Sequence, residues 1–347
     1  MRDAGWGREL TGTLVVAACA VGVLPMLVST YTLTVLIIYG MLGLSLGLVW
    51  GFGGILCFGQ AAFFGLGAYT YAIAAINFGE STVPMLLAVA VPAGFAAVLG
   101  AMLFYGRLTD VYLGVITLVV TLILHRFMNA TAGSEYVIGN ARLGGFNGIP
   151  GFQTLNVPGD PSAYVWGESF YYFSAVCLLL AYLLVSAVLR SSFGRIAVGI
   201  RENETRAALM GYDVPARKTV MFAAGAAIAG LAGALFANWA EIVTPRLFSL
   251  SQSADIIIWC IVGGLGTRIG PVLGAAGLSY LKFLLGQQDL LHNSVVSGAI
   301  LVLFVLFLPG GIAPVLANAW RLVTRRRPRS RYRRRRGPRS SLASGDA

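Results

Sequence analysis

Long apolar runs follow one another along most of this chain, and several of them reach 18 residues or more. A helical run of that length matches the hydrocarbon thickness of a bilayer. Hydrophobic residues make up 57% of the 347 residues and charged residues only 11%, which is too little charge to cover a soluble domain of this size. The sequence therefore predicts an all-α polytopic membrane protein.

Hydropathy and the breaks between the runs predict about ten transmembrane segments. We expect them near 11–29, 32–50, 55–77, 84–105, 111–127, 169–189, 219–241, 254–266, 270–286 and 294–315. The eighth and ninth are short and discontinuous, because GGLGTRIGP at 263–271 is an unlikely helix interior. Ten segments place both termini and the basic segment 190–218 on the cytoplasmic side, as the positive-inside rule requires.

Most of the net charge of +11 lies at the C-terminus. Residues 321–347 hold eleven Arg and one Asp, and their Pro, Ser and Gly content favours disorder. We expect a transmembrane domain over 1–320 and a disordered, Arg-rich cytoplasmic tail over 321–347. The tail is expected to contact anionic membrane lipids and anchor the topology, in preference to binding nucleic acid.

Segment 190–218 is the long internal stretch that is rich in charge, with six of the 25 Lys and Arg residues. Asn203 is expected to cap a short helix, Glu204 to favour its positive end, and Gly211 to end it in a left-handed conformation. A helix of about seven residues is marginal alone in water. The segment therefore predicts a partner that docks on the cytoplasmic side.

Residues 128–168 form the long external connection, with eight Gly and three Pro. Loops of this length usually have a function or are disordered. Two interpretations stay open at this point. The loop is a lid or docking surface for an external partner, or it is a plain cap over the helix ends.

The motifs of several enzyme classes are missing from the sequence. Neither Lys218 nor Lys282 follows a Gly, so the phosphate-binding loop of ATPases cannot form. His125 and His292 lie far apart, without HExxH, and the four cysteines lack metal-ligand spacing. The sequence predicts a protein that is not an enzyme, with no catalytic residue, no metal site and no cofactor.

Polar side chains inside the apolar runs are candidates for a substrate pathway. A buried amide such as that of Gln60 costs free energy unless it is bonded, so it either bonds a neighbouring helix or lines a wet path. Ionisable groups at membrane depth indicate function by default, although such groups near the surface can be merely interfacial. The candidate pathway residues are Gln60, Tyr69, Asn238, Glu241 and Asp255.

Four motifs carry a resemblance to a known family. They are GLVWGFGGILCFGQAAFFGLGAY at 47–69, FGRIAVGIRENETRAALMGYDVPARK at 193–218, AGAAIAGLAGALFANW at 224–239 and VGGLGTRIGPVLGA at 262–275. Together they resemble the permease subunits of branched-chain amino acid ABC importers, in order over about residues 35–315. The resemblance implies a permease subunit in the bacterial plasma (inner) membrane that imports branched-chain or related amino acids.

The resemblance also implies partners. These are a second homologous permease subunit, two cytoplasmic ABC ATPase subunits and an external or periplasmic solute-binding protein. By this analogy an ATPase grips the coupling loop, whose candidate residues are Arg201, Glu202, Asn203, Glu204, Ala207, Ala208 and Gly211. The chain departs from the wider importer pattern, because Thr205-Arg206-Ala207 stands where Glu-Ala-Ala is expected.

The substrate class has an alternative. Many amino-acid permeases of the family carry His where this chain has Gln60, whereas permeases for urea and short amides often carry Gln. A stand-alone channel or secondary transporter is less expected, because few carboxylates fall at mid-membrane depth to couple transport to protons or sodium.

Overall fold

The computed structural model describes residues 21–157 and 160–286, together with Gly298. Within these residues the chain is mainly helical and has three short two-stranded β-ribbons. The helices are α1 (Thr30–Leu46), α2 (Gln60–Phe78), α3 (Thr82–Tyr105), α4 (Asp110–Ala130), α5 (Glu168–Arg190), α6 (Ser192–Glu202), α7 (Glu204–Leu209), α8 (Val214–Ala240), α9 (Leu250–Gly263) and α10 (Gly270–Gly286). A π-helical turn, Gly47–Phe52, extends α1, and short 3-10 turns occupy Leu24–Met26, Gly145–Asn147 and Pro245–Phe248.

Six of these helices are long and apolar enough to cross a membrane, namely α1 with its π-helical turn, α2, α3, α4, α5 and α8. Helices α9 and α10 are shorter, with 14 and 17 residues, as the sequence predicts for the eighth and ninth segments. The prediction of a helical polytopic membrane protein is confirmed. The count of ten is not, because most of 11–29, all but Gly298 of 294–315, and the tail 321–347 lie outside the described residues.

The membrane helices form a central group and a peripheral group. The most apolar windows of α1, α2 and α8 are 78%, 67% and 67% buried, whereas those of α3, α4 and α5 are each 28% buried. The peripheral helices expose large apolar side chains that suit contact with lipid. The core therefore lies along the central trio.

The connections between successive long helices lie alternately at the two ends of this bundle. At the loop end, defined by residues 131–167 and 242–249, the Asn77 amide donates to the Ile138 carbonyl and the His125 ring Nδ1 to the Pro245 carbonyl. At the α7 end, defined by residues 51–54, 105–110, 190–218 and 264–269, the Arg201 guanidinium donates to the Gly51 carbonyl. The chain therefore passes from one end to the other with each long helix.

Side-chain caps fix several helix starts. The Ser29 hydroxyl accepts from the backbone N–H of Thr32 at the start of α1, and the Ser249 hydroxyl accepts from that of Gln252 at the start of α9. The Asp213 carboxylate accepts from the Ala216 N–H, just where Pro215 stands in the first turn of α8. These contacts satisfy N–H groups that a helix leaves without a partner in its own backbone.

One helix boundary differs from the predicted one. Helix α2 begins at Gln60 rather than at 55, because residues 54–59 leave the helical conformation. Gly54 has φ +69°, a value that glycine adopts without steric cost. The predicted break after α9 is confirmed, since residues 264–269 are not helical and Gly264 and Gly266 have positive φ.

The long loop at the loop end folds back on the helix ends. Strands β1 (Val137–Ile138) and β2 (Ala141–Arg142) pair with each other, as do β4 (Asn156–Val157) and β5 (Asp160–Tyr164). Strand β3 (Ile149–Pro150) pairs antiparallel with β6 (Ile242–Val243), which directly follows α8. The loop is thus attached to the core by backbone hydrogen bonds.

Candidate functional site

The contact between α2 and α8 is built on glycines. A Cβ atom at Gly67 would overlap the carbonyl oxygen of Gly230, and a Cβ atom at Gly233 would overlap that of Phe64. Only glycine allows the two backbones to approach so closely. We call this contact the α2–α8 seam; it leaves no room for a solute between the two helices.

Gln60 lies at the α7-end side of the seam. Its side chain is buried, and its amide nitrogen donates to the Ser45 hydroxyl of α1 (2.9 Å) and to the Gly225 carbonyl of α8 (3.4 Å). The same amide therefore joins all three central helices. Its Oε1 has no hydrogen-bond partner among the described residues. Of the two roles left open by the sequence, this geometry favours the helix-bridging one.

Asn238 lies at the loop end of the same seam, about 20 Å from Gly225 along α8. Its carbonyl oxygen accepts from the Tyr71 hydroxyl (3.0 Å) and from the Leu155 backbone N–H (2.6 Å), and its amide donates to the Ala234 carbonyl (2.8 Å). This buried group ties α2, α8 and the long loop together. Every polar atom of its side chain is bonded within the protein.

Tyr69 does not share a face with Gln60. Nine residues separate them on α2, which at 3.6 residues per turn places them about 180° apart. The Tyr69 ring packs against Phe248, with 5.6 Å between centroids, and its buried hydroxyl has no partner among the described residues. Tyr71 is eleven residues from Gln60, or about three full turns, so it lies on the same face of α2 as Gln60 and contacts Asn238 in the seam.

The two acidic candidates lie apart from the seam. The Asp255 carboxylate on α9 pairs with the Lys282 ammonium on α10 at 2.6 Å. Glu241 ends α8 with φ +55° and is exposed at the loop end, beside a surface cavity of about 340 Å³ that Gln153 and Tyr164 also line. The structure therefore does not bring the five candidate pathway residues together in one site.

Around α7, segment 190–218 has the local structure that the sequence predicts. The Asn203 side chain accepts from the Arg206 backbone N–H at 2.8 Å and so caps α7, and Gly211 has φ +85°. Helix α7 itself is six residues long. The Glu204 carboxylate pairs with the Lys218 ammonium at 2.5 Å, which fastens α7 to the first turns of α8.

The remaining residues of the segment divide into inward and outward groups. Ala207 is buried with Ile200 and Val214 in a small apolar cluster, whereas Glu202 and Ala208 are exposed. Beyond them the apolar side chains of Leu209 and Met210 are 85% and 64% exposed. An apolar pair so exposed on a polar segment is typical of a surface that a partner covers.

Arg201 connects this segment with the membrane helices. Its Nη1 donates to the Gly51 carbonyl at 2.5 Å, and a Cβ atom at Gly54 would lie 2.8 Å from its Cγ. A Cβ atom at Gly266 would lie 3.4 Å from the same Nη1. The side chain thus spans the two glycine-rich turns where α1 and α9 end.

Three features of these sites were not predicted from the sequence. The amphipathic helix α6 is one, although apolar residues recur at helical spacing after Ser191, whose hydroxyl caps it. The pairing of Lys282 with Asp255 is another, and no local pattern links the two. The third is Tyr71, whose spacing from Gln60 would have placed both on one helix face.

Comparisons with known proteins agree over most of the chain. Residues 28–305 match the family described as "Branched-chain amino acid transport system / permease component". The permease protein LivM of the high-affinity branched-chain amino acid transport system of Escherichia coli K12 is 29% identical over 315 residues, which cover 84% of this chain and 72% of LivM. A probable LivM of Methanocaldococcus jannaschii is 23% identical over 80% of this chain and 90% of its own length.

A second kind of relative matches a shorter part. LivH of Escherichia coli K12, named as a permease protein of the same transport system, is 25% identical over 151 residues, or 43% of this chain and 46% of LivH. No solved structure matches the chain significantly. The family match covers well over half of the sequence and coincides with the membrane helices described above. The chain belongs to the family of branched-chain amino acid transport system permease components.

Proposed function

We propose that this chain is the membrane-spanning permease subunit of an ATP-driven importer for branched-chain or related amino acids. Its family and the names of its LivM relatives support the substrate class. The single observation that carries the ATP-driven part is the exposed apolar end of α7, Leu209 and Met210, on a capped and ion-paired helix.

This end of α7 suits a cytoplasmic ATPase subunit. A helix of six residues is too short to be stable by its own hydrogen bonds, so its contacts hold it in place. The Glu204–Lys218 pair and the buried Ala207 fix its position, and they leave Leu209 and Met210 facing outward. An ATPase that covers these two side chains would push or pull α7 as a rigid element.

The proposed orientation follows from charge. The α7 end carries the basic residues of 190–218 and faces the cytoplasm, whereas the loop end faces outward and receives a solute-binding protein. The names LivM and LivH describe two permease proteins of one transport system. This chain matches LivM over 84% of its length and LivH over 43%. We therefore infer a second permease related to LivH as its partner, with one ATPase subunit for each permease, in the plasma membrane.

Arg201 gives such an ATPase a mechanical route into the membrane. The guanidinium holds the turn at Gly51, and the non-helical residues 54–59 lead from that turn to Gln60. π-Helical turns such as Gly47–Phe52 occur often at functional sites. Because Arg201 lies at the end of α6, directly before α7, a displacement of α7 would be passed through Arg201 to the interrupted ends of α1 and α9.

Purification and reconstitution of the full chain test the proposal. Affinity purification from its native membrane is expected to bring an ATPase subunit and a second permease with it. In liposomes this assembly should take up L-leucine only with ATP at the α7 end and binding protein at the loop end. Uptake by the chain alone without ATP would overturn the proposal in favour of a channel, and ATP-driven uptake of urea without leucine would overturn the substrate class.

A further inference from the structure

The ion pair between Asp255 and Lys282 joins α9 to α10 on the loop-end side of both helices. Asp255 is five residues, or about 8 Å, from the start of α9 at the loop end. Lys282 is twelve residues, or about 18 Å, from the start of α10 at the α7 end, so it too lies toward the loop end. Ile256, Ile257 and Ile258 follow Asp255 directly, whereas the polar residues 251–253 precede it, and apolar residues flank Lys282 on both sides. The pair therefore lies where the polar first turn of α9 gives way to its apolar part.

The pair is open on one side. The two side chains are 24% and 23% exposed, so neither is enclosed by the described part of the subunit. A charge that faces hydrocarbon is costly, and intramembrane ion pairs usually face a bundle interior or a water-filled path. The exposed part of the pair is thus more stable in contact with water than with hydrocarbon, and water there would let a small solute reach both charges.

The chemistry of the pair matches one class of solute. A free amino acid carries an ammonium and a carboxylate on the same carbon, which is itself a pair of opposite charges. The Asp255 carboxylate can accept from the ammonium while the Lys282 ammonium donates to the carboxylate. We propose that Asp255 and Lys282 form a binding site for the zwitterionic group of an amino acid, which opens their ion pair and replaces it with two new ones.

This exchange would also discriminate between solutes. Breaking a partly buried ion pair is costly unless both charges gain new partners. A zwitterion supplies both partners, whereas neutral urea or a short amide supplies neither charge, so the pair would stay closed to them. The site thus selects amino acids over amides, and this inference rests on the proposed import function.

Two aromatic rings, the buried Trp259 and the half-buried Tyr39, lie near the pair. Trp259 follows Asp255 by four residues and so lies on the same face of α9, and its ring packs at 5.0 Å between centroids against the half-buried ring of Tyr39 on α1. A bound amino acid would place an apolar side chain against Tyr39. This contact would favour apolar over polar amino acids.

Two double variants test the site in the complete importer. Asp255→Asn with Lys282→Gln keeps similar volumes and a hydrogen bond but removes both charges. Asp255→Lys with Lys282→Asp keeps an ion pair with its direction reversed, so that a bound amino acid would point its side chain away from Tyr39. The readouts are L-leucine uptake at saturating leucine, the amount of copurifying ATPase, and the melting temperature.

We expect the uncharged pair to assemble normally and to lose uptake by about tenfold or more. Uptake within about twofold of wild type, in either variant with normal assembly, would overturn the proposal, because an ion pair that only fastens α9 to α10 tolerates both changes. If the uncharged pair fails to assemble, the reversed pair decides by the same criterion, and failure of both to assemble would assign the pair a structural role. A wild-type importer without ATP-driven leucine uptake would instead contradict the proposed function.

Discussion

The α2–α8 seam and the α7 end contrast in how complete they are. In the seam, glycines bring two backbones into contact, and Gln60, Tyr71 and Asn238 bond to groups of the same chain. At the α7 end a six-residue helix is held by one cap, one ion pair and the buried Ala207, and it leaves Leu209 and Met210 exposed. The seam is thus packed closely within the subunit, whereas the α7 end leaves an apolar surface that we propose another protein covers.

This difference separates stability from function along the chain. Changes in the seam should lower the amount of folded protein without changing which solutes the remaining protein transports, because the close contacts there cannot adjust. Changes at the α7 end should leave the fold in place and affect only the assembly that depends on it.

Gly67→Leu should disrupt the seam most severely. The new side chain would collide with the Gly230 backbone, which cannot move without separating α2 from α8. We expect the free energy of unfolding to fall by about 3 kcal/mol or more. Gel filtration in detergent should then show less monodisperse protein. Gly94→Leu on the exposed face of α3 is the matched control, because a Cβ atom there meets nothing within 4 Å. Equal amounts of monodisperse protein for the two variants would contradict the close packing assigned to the seam.

Asn238→Leu should have the next largest effect. It leaves the Tyr71 hydroxyl and the Leu155 N–H without their shared acceptor, at a cost of about 2 kcal/mol. The melting temperature should fall, and protease should cut the loop near Leu155 faster. Tyr71→Phe removes only one of these bonds and should cost less. A melting temperature for Asn238→Leu equal to that of Tyr71→Phe would show that the loop attachment contributes nothing.

Gln60→Leu should lower stability by about 1 to 2 kcal/mol. It removes the bonds to Ser45 and Gly225 but keeps the volume of the side chain. Because we assign Gln60 to the seam, the variant that still folds should keep the wild-type preference between leucine and urea. A double-mutant cycle with Ser45→Ala should show coupling between the two side chains. A stable variant with altered preference between leucine and urea would instead place Gln60 on the substrate path.

Gly211→Val should have the smallest effect on the fold. Valine at φ +85° is strained by about 1 kcal/mol or more, and the strain is confined to the turn between α7 and α8. Membrane insertion and the melting temperature should stay near wild type while leucine uptake and ATPase copurification fall. Gly199→Val on α6 is the control, since Gly199 has ordinary φ and open space around its Cβ position. Full uptake by Gly211→Val would contradict a coupling role for this turn.

Local sequence signals predicted part of this structure well. Apolar runs located the long helices, and the Asn203 cap and the Gly211 turn follow from side-chain chemistry within a few residues. The glycine-rich stretch at 264–269 correctly indicated the break between α9 and α10. Such features depend on neighbours in the chain, so the sequence alone contains the information.

Long-range contacts could not be predicted in the same way. The choice between a helix-bridging and a path-lining Gln60 depends on Ser45 and Gly225, which lie 15 and 165 residues away. Likewise, the partner of Asp255 is 27 residues distant on another helix. Hydropathy assigns these residues to the membrane but not to a neighbour, and only the packing of the helices decides which groups meet.

The central claim is that the exposed apolar end of α7 binds an ATPase. It is tested most directly by the amount of ATPase that copurifies with Leu209→Asp/Met210→Asp, compared with Leu265→Asp, an exposed apolar residue at the same end outside α7. We predict that the α7 variant remains folded but loses most of its ATPase, because burial of two carboxylates in the interface is costly, whereas the Leu265 variant keeps it. Wild-type amounts of ATPase on the α7 variant would contradict the account.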